Sequence, residues 1–266
     1  MGMDEPMTAS LAGKVAIVTG GASGLGRGIV QRFVDAGAEV IIADLNDQGG
    51  QQLATDCGAR AWFQHVDVAV AEDVHAVVQA AVDRFGGLDV MVNNAGISSA
   101  MHKSFLGDDL ADFSTVMSVN LLGVMLGTRE AARYMAANEG GSIINVASIG
   151  GLQAGGGVMT YRASKAAVIH FTKSVAIELA PLGVSVNCLA PGGIPTPILA
   201  SSVHGLSAES VDKFVEKTRI KMRNDRPLPR DGTPEDVAEA ALYYAACTSA
   251  TGTVLPIDGG TSAGGP

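Results

Sequence analysis

The hexapeptide TYRASK at 160–165 contains two residues that could carry out proton transfer, Tyr161 and Lys165. Positions four residues apart lie on one face of a helix, so the phenol and the ammonium can meet there. The pKa of a free tyrosine is about 10, and a neighbouring cation lowers that pKa because it favours the phenolate. The pair is therefore either a general acid/base with its activating cation or an ordinary amphipathic pair on a surface. The rest of the sequence must distinguish the two.

A second stretch, TGGASGLG at 19–26, directly follows the apolar run at 14–19. Gly20, Gly24 and Gly26 permit a tight turn, close approach of the backbone to a phosphate and close packing of the following helix. The N-terminus of that helix would present free N–H groups to the anion. Ordinary turns also use glycine, but this position between a first strand and a first helix favours nucleotide binding.

Other apolar runs of the chain also end in polar or small residues. These residues are Asp44, Asp67, Val68, Asn94, Ala95, Gly96, Ser148, Pro191 and Gly192. Parallel strands place their carboxyl ends along one edge of a sheet, where ligands bind, so we expect these residues to line a common site.

Seven short apolar runs alternate with helical stretches along the chain and must position these residues. The runs lie at 14–19, 39–44, 61–66, 88–94, 142–148, 184–190 and 253–258. Their cores are continuously apolar, as in parallel strands that are covered on both faces. The alternation predicts an α/β fold, a Rossmann-type doubly wound parallel sheet of about seven strands with helices on both faces.

No linker or repeat divides the chain, so residues 1–266 are predicted to form a single dinucleotide-binding and catalytic domain. Residues 1–10 are predicted to be a flexible N-terminus. Thr233 and Asp236 form a capping-box pattern, which predicts the start of a helix. The segment at about 192–230 is rich in Pro, Gly and Ser and breaks the alternation, and we interpret it as a substrate-binding lid.

Composition excludes several classes of protein. The net charge of −9 leaves no basic patch for nucleic acid, and no apolar run is long enough to cross a membrane. The start MGMDEPMTAS lacks the apolar core of a signal peptide. The 3 cysteines have no paired spacing and the 5 histidines are scattered, which indicates no metal site and fits a reduced cytoplasmic protein.

Taken together, these motifs resemble those of the short-chain dehydrogenase/reductase family. The resemblance rests on TGGASGLG, NNAG at 93–96, Asn120, Ser148, YRASK and PGGIPT at 191–196. It extends from about residue 11 to DGG at 258–260, which is nearly the whole chain.

The resemblance implies a role for each matching residue. Tyr161 would be the general acid/base, and Lys165 would lower its pKa and hold the nicotinamide ribose. Ser148 would hydrogen-bond the substrate oxygen or only cap local backbone, and Asn120 would support a water-linked proton relay, satisfy backbone groups, or both. The cofactor contacts predicted from motif and resemblance are Gly20, Ser23, Gly24, Leu25, Gly26, Asp44, Leu45, Asp67, Val68, Asn94, Ala95, Gly96, Tyr161, Lys165, Pro191, Gly192, Ile194 and Thr196. Pro195 stiffens the turn that carries the last two of these residues.

The cofactor is predicted to be NAD. Asp44 ends the second strand about twenty residues after the glycine loop, where a carboxylate can accept hydrogen bonds from ribose hydroxyls and would repel a 2′-phosphate. The family's NADP-dependent members usually carry Arg or Lys at the positions that Ser23 and Leu45 occupy here. Arg27 is the nearest cation in the sequence, and Asp44 could instead cap the helix that begins near Asn46.

The substrate pocket is predicted to form from the segment after Asn94, the stretch 151–158 and the lid. The apolar side chains that these segments offer are Ile97, Met101, Phe105, Leu152, Val158, Ile198, Leu199 and Phe214. They favour an apolar secondary alcohol or ketone, cyclic or steroid-like, as the small-molecule substrate. The alternatives are an NADPH-dependent 3-oxoacyl-thioester reductase and a non-catalytic nucleotide-binding scaffold.

The helix predicted at 166–180 is apolar around most of its circumference. Such a helix buries more than the face that packs on the sheet. Members of the family commonly pair this helix across a two-fold axis, so the resemblance implies a homotetramer.

Overall fold

The computed structural model describes residues 10–200 and 208–264, and a parallel seven-stranded sheet runs through them. The strands are β1 Val15–Thr19, β2 Glu39–Asp44, β3 Ala61–His65, β4 Val90–Asn93, β5 Gly141–Val146, β6 Val184–Pro191 and β7 Val254–Ile257. Their order across the sheet is β3-β2-β1-β4-β5-β6-β7. The seven predicted strands and the doubly wound α/β fold are confirmed. Apart from Ser10, the predicted flexible N-terminus lies outside the described residues.

Helices connect the strands and cover both faces of the sheet. Their bounds are α1 Gly24–Asp35, α2 Asp47–Cys57, α3 Ala71–Phe85, α4 Phe113–Met117, α5 Gly123–Ala137, α6 Met159–Leu179, α7 Pro197–Ala200, α8 Ala208–Asn224 and α9 Pro234–Ala246. The predicted capping box begins α9, since Asp236 N donates to Thr233 Oγ1 at 3.3 Å and Thr233 N donates to Asp236 Oδ2 at 3.0 Å. In the described part of the chain, no helix is long and apolar enough to span a membrane.

The strands send alternate side chains into two separate cores. From β1, Ala16 and Val18 pack with Phe33 of α1, whereas Val15 and Ile17 pack on the opposite face among residues of α3, α5 and α6. Strands buried on both faces need apolar residues at every position. The continuous apolar runs of the sequence follow from this arrangement.

The predicted lid contains more helix than its composition indicates. Within 192–230, α8 spans 17 residues, and its sequence AESVDKFVEKTRIKMRN contains neither Pro nor Gly. Lys213 Nζ lies 2.6 Å from Glu209 Oε1 one turn away, and such exposed pairs modestly support a helix. The breaker residues that suggested irregular structure flank α8 rather than interrupt it. Residues 201–207, and the side chains of 199, 200 and 208, lie outside the described part, so the predicted pocket residue Leu199 does too.

Arg226 ties the two ends of the lid together. Its Nη2 donates to the carbonyl oxygen of Gly193 at 2.6 Å, and its Nη1 donates to the carbonyl oxygen of Arg230 at 3.3 Å. The side chain is 8% exposed, and Asp258 is among the residues whose pKa its charge lowers. The buried Arg226 side chain thus holds the start of the lid, at Gly193, close to its end, at Arg230, beside the carboxyl end of β6.

Candidate active site

The glycine loop after β1 has a backbone shape that glycine alone adopts easily. Gly20 has φ of 63° and Gly24 has φ of 52°, both in the left-handed region. At Gly26 an added Cβ would collide with the carbonyl of Gly20, so α1 packs closely against the loop. Ser23 precedes α1 and makes no side-chain capping hydrogen bond with any described residue. The N-terminus of α1 therefore remains available to an anion.

Thr19 and Asn94 hold this loop in place. The Asn94 side chain donates to the carbonyl oxygens of Thr19 at 2.8 Å and Gly20 at 3.1 Å. In return, the Thr19 hydroxyl accepts from the backbone N–H groups of Asn94 at 3.0 Å and Ala95 at 3.1 Å. The Asn94 amide thus positions the loop from β4. Thr19 was not predicted to belong to the site. Its hydroxyl, at the last strand position before the glycines, is the feature of the sequence that could have indicated it.

Asp44 presents its carboxylate beside the glycine loop. Its Oδ2 accepts from Ala22 N at 2.9 Å and its Oδ1 accepts from Asn46 N at 2.9 Å. The cap of α2 is Asn46 itself, whose side chain accepts from Gly49 N, so Asp44 is not the capping residue. Arg27, the nearest cation in sequence, lies 3.5 Å from Asp56. The carboxylate is thus oriented by two backbone donors.

Lys165 is one of the most deeply buried charged groups of the site, with 3% of its surface exposed. Its Nζ donates to the carbonyl oxygen of Val146 at 2.9 Å. Burial lowers its pKa to about 8, and the nearby Cys188 opposes that effect. A Cβ added at Gly96 would lie 3.2 Å from Nζ, so the glycine at this position keeps the ammonium accessible from the cleft.

Tyr161 and Ser148 face each other at the end of β5. Burial raises the pKa of Tyr161, while hydrogen bonding from Ser148 and the charge of Arg162 lower it. Ser148 Oγ also accepts from Gly150 N at 3.0 Å, so both of its predicted roles are compatible with the structure. Lys165 Nζ lies 5.8 Å from the centre of the Tyr161 ring and donates to Val146, and its expected effect on the Tyr161 pKa stays a prediction.

Asn120 is fully buried behind the cleft wall. Its Oδ1 accepts from Ile97 N at 2.8 Å, and its Nδ2 donates to Ile97 O at 2.9 Å and to Ser164 Oγ at 3.0 Å. It lies in the π-helical turn Ser118–Leu122 between α4 and α5, a feature that is frequent at functional sites. The side chain is therefore committed to positioning the segment after β4, and its part in a proton relay remains a prediction.

A cavity of about 410 Å³ joins the catalytic residues to the glycine loop, within the usual size range of ligand sites. The predicted catalytic and cofactor-binding residues that line it are Gly20, Ser23, Gly24, Leu25, Asp44, Leu45, Asp67, Val68, Asn94, Ala95, Gly96, Ser148, Tyr161, Lys165, Pro191, Gly192, Ile194 and Thr196. Gly26 and Asn120 lie behind the lining instead. Of the predicted substrate-pocket residues, Ile97 and Ile198 line the cavity, whereas Met101, Phe105, Leu152, Val158 and Phe214 do not.

The cavity suits a dinucleotide in its chemistry. A carboxylate at Asp44 matches ribose hydroxyls, the glycine loop and the N-terminus of α1 match a pyrophosphate, and the Lys165 ammonium matches a second ribose. Exposed Leu45 offers an apolar surface beside Asp44 for a base. Among the described residues, no group of three His, Cys, Asp or Glu side chains could hold a metal ion.

Comparison with known proteins gives consistent results. A family model described as Enoyl-(Acyl carrier protein) reductase matches residues 20–262. The chain is 41% identical to 3beta-hydroxysteroid dehydrogenase 2 of Eggerthella lenta, over 95% of this chain and 96% of that protein. It is 39% identical to the mitochondrial borneol dehydrogenase of Lavandula x intermedia, over 95% of this chain and 92% of that protein. A crystal structure of 3-ketoacyl-(acyl-carrier-protein) reductase from Brucella melitensis complexed with NADH superposes with a TM-score of 0.85, at 35% identity, over 95% of this chain and 100% of that chain.

Proposed function

Since the chain belongs to the short-chain dehydrogenase/reductase family and is an oxidoreductase acting on CH–OH groups, we propose a specific reaction for it. It transfers a hydride between NAD(H) and an apolar secondary alcohol or ketone of cyclic or steroid-like shape. The observation that carries this proposal is the meeting of Ser148, Tyr161 and Lys165 in a cavity that Asp44 and the glycine loop also line.

The proposed chemistry divides between the side chains and the cofactor. In the oxidation direction, the Tyr161 phenolate takes the hydroxyl proton of the alcohol, and in the reduction direction the phenol returns it. Ser148 donates a hydrogen bond to the same substrate oxygen and orients it. When bound, the nicotinamide ring supplies the carbon that accepts or gives the hydride. Lys165, held by Val146, would donate to the nicotinamide ribose, with Ile194 and Thr196 beside the carboxamide.

The preference for NAD over NADP follows from the charges beside the adenosine ribose. Asp44 is aimed by the backbone of Ala22 and Asn46, so a 2′-phosphate would face a fixed carboxylate. Arg27 is paired with Asp56, and His65 is paired with Asp47 at 2.7 Å. Both basic side chains are therefore engaged by acids of their own, which supports NAD.

The substrate class rests on the segments around Tyr161. Met101, Phe105 and Leu152 are large apolar side chains with 49%, 56% and 41% of their surface exposed. Added Cβ atoms at Gly156 would meet nothing within 4 Å, so the loop before Tyr161 leaves room for a ring system. Two relatives carry borneol and hydroxysteroid in their names, which supports a cyclic alcohol.

The second candidate is reduction of a 3-oxoacyl thioester. The similarity to a 3-ketoacyl-(acyl-carrier-protein) reductase favours it, and the net charge of −9 opposes binding of an acidic carrier protein. A non-catalytic scaffold is disfavoured, because the Ser, Tyr and Lys side chains are all present at the cavity.

The test is a nucleotide fluorescence titration followed by turnover assays. NADH and NADPH are titrated against the protein, and monocyclic, bicyclic and steroid secondary alcohols are then assayed with each oxidised cofactor, beside acetoacetyl thioester with each reduced one. Turnover of a cyclic alcohol with NAD supports the proposal. Turnover of the thioester alone would transfer the assignment to the second candidate, and binding without any turnover would favour a scaffold.

We extend the proposal to the assembly and the compartment. Among the described residues nothing covers one face of α6, where Ala166, His170 and Ile177 are exposed, and Ile177 is 80% exposed. A second copy of α6 packed on this face would bury it, as expected for the proposed homotetramer. Cys57, Cys188 and Cys247 are all free thiols, which suits a reducing compartment such as the cytoplasm.

A further inference from the structure

Arg226 lies where the end of the lid meets the turns that follow β6 and β7. Its Nη2 donates to the carbonyl oxygen of Gly193, in the turn after β6, at 2.6 Å. Its Nη1 donates to the carbonyl oxygen of Arg230, in the lid, at 3.3 Å. Next to it, Leu228 N donates to the carbonyl oxygen of Gly259, in the turn after β7, at 2.9 Å. The arginine therefore stands at a junction of three segments.

Two glycines give the buried Arg226 side chain its room. A Cβ at Gly232 would collide with Nη2, and a Cβ at Gly259 would lie 3.3 Å from Cδ. Burying a charge is costly, and the two carbonyl oxygens offset only part of that cost. A planar guanidinium that donates to two backbone acceptors has a well-defined orientation. The fold therefore retains a costly cation in a fixed place.

The turn that Arg226 holds forms part of the cavity wall. Gly192, Ile194 and Thr196 line the cavity together with Lys165. Gly193 lies between the first two of these residues in the chain, so the position of its carbonyl group determines how the backbone enters Ile194. Ile194 is itself 5% exposed. A shift of the Gly193 peptide would therefore move the cavity wall directly.

The same turn is packed from both sides. Gly192 N donates to the carbonyl oxygen of Ile257 at 2.9 Å, which fixes the turn to the end of β7. On the lid side, a Cβ at Gly193 would lie 2.6 Å from Met222 Cγ and Sδ, so α8 packs directly on the backbone there. Arg226 supplies the polar contact on this second side. The lid thus holds the turn through one packing contact and one short hydrogen bond.

This turn is remote from the adenosine end of the cavity. Asp44 ends β2, whereas the turn follows β6, and β1, β4 and β5 lie between these two strands. Four interstrand spacings correspond to about 19 Å. A change at the Gly193 carbonyl should therefore affect one end of a bound dinucleotide and leave the other end as it was.

We propose that Arg226 is a positioning residue for the nicotinamide end of the cofactor. It holds the Gly193 carbonyl, and with it the turn 192–196, in the shape that the carboxamide requires. The inference rests on the proposed function, which puts Ile194 and Thr196 beside the carboxamide. Arg226 does not line the cavity and acts through the backbone of the turn. The end of the lid and the nicotinamide site are thereby coupled through one side chain.

The test compares NADH with ADP-ribose, which keeps the adenosine, the pyrophosphate and the second ribose but lacks the nicotinamide. Calorimetric titration gives the Kd of both ligands for the wild type, Arg226→Met and Arg226→Lys. In Arg226→Met we expect the Kd of NADH to rise about tenfold, as for the loss of one charged hydrogen bond, and the Kd of ADP-ribose to stay within about twofold. Arg226→Lys should be intermediate for NADH, because an ammonium can reach one carbonyl but lacks the fork that holds both. A purely structural role would not separate the two ligands.

The matched control is Arg223→Met, which removes an exposed arginine three residues earlier and should leave both Kd values unchanged. Thermal unfolding without ligand shows whether each variant is folded. If Arg226→Met is not, Gly232→Ala carries the measurement, because its methyl group displaces the guanidinium while the arginine is retained. Equal weakening of NADH and ADP-ribose, or an unchanged Kd of NADH in a folded variant, would overturn the inference. A wild type that binds neither NADH nor NADPH would overturn the proposed function instead.

Discussion

Lys165 donates a 2.9 Å hydrogen bond from its ammonium to the carbonyl oxygen of Val146, the last residue of β5. The bond satisfies one donor of an ammonium that is only 3% exposed. The lysine therefore carries a burial penalty, which lowers its pKa to about 8. A group that is unfavourable for folding and yet retained is expected at a functional site.

The stability of Lys165→Met should therefore differ from that of the wild type in a pH-dependent way. Between pH 8 and 10.5 the unfolded lysine is protonated and the folded one is not, so the stability of the wild type contains a contribution that rises with pH across this window. We expect the variant to be more stable by up to about 3 kcal/mol at pH 7, and the gap to close as pH approaches 10.5. Denaturant unfolding of both proteins at several pH values measures this difference, and a pH-independent gap would contradict it.

Tyr161→Phe should abolish most of the turnover while cofactor binding remains. The substitution removes only the transferable proton, and general acid/base catalysis is typically worth about 10²–10⁴-fold in rate. Lys165→Ala should weaken both turnover and NADH binding, because the lysine is assigned to the ribose. Single-turnover rates and NADH fluorescence titrations separate the two effects. Near-normal turnover by the Phe variant would remove Tyr161 from its assigned role.

Asp44→Ala should narrow the preference for NAD. The carboxylate is the charge that a 2′-phosphate would meet, and its loss should change the ratio of kcat/KM for NAD and NADP by about ten- to a hundredfold. Asp35→Ala removes the same charge from the far end of α1 and is the matched control. A wild-type protein that uses NADP as well as NAD would refute the preference, and an unchanged ratio in Asp44→Ala would refute its assignment to this residue.

Asn120→Ala should destabilise the protein, because the Asn120 side chain holds the segment after β4. The variant leaves Ile97 N–H and C=O without their partner, and an unsatisfied buried group costs about 1–3 kcal/mol. Asn138→Ala removes an exposed bond of 2.8 Å to Tyr134 O and should cost less. Equal losses in the two variants, measured by thermal unfolding, would count against a positioning role for Asn120.

Light scattering should find a homotetramer at working concentration. The uncovered face of α6 includes Ile177, so Ile177→Glu should dissociate one set of contacts and lower the measured mass. Glu178→Gln, a neighbouring change on the same exposed face, tests whether any substitution there has this effect. A wild-type protein that scatters as a monomer would exclude the assembly.

The strands and most cavity residues could be predicted because they depend on local pattern and chain order. Parallel strands buried on both faces are continuously apolar, and residues at or just after their carboxyl ends, such as Asp44 and Ser148, must meet at one edge. The partners of those residues could not be predicted. Val146 and Gln153 accept hydrogen bonds through their backbone carbonyls, which have no sequence signature. The hydrogen bonds between the Asn120 side chain and the Ile97 backbone depend on a π-helical turn. In the lid, Pro and Gly marked the boundaries of α8 rather than its absence.

The order of the strands has a consequence for how this protein can change. Asp44 is the last residue of β2 and Ser148 follows β5, and β1 and β4 lie between these strands. Three interstrand spacings separate the two sites by about 14 Å, beyond the range at which substitutions usually influence one another. Substitutions that switch the nucleotide and substitutions that switch the substrate should therefore combine with little epistasis, so that either specificity can evolve, or be engineered, while the other is left intact.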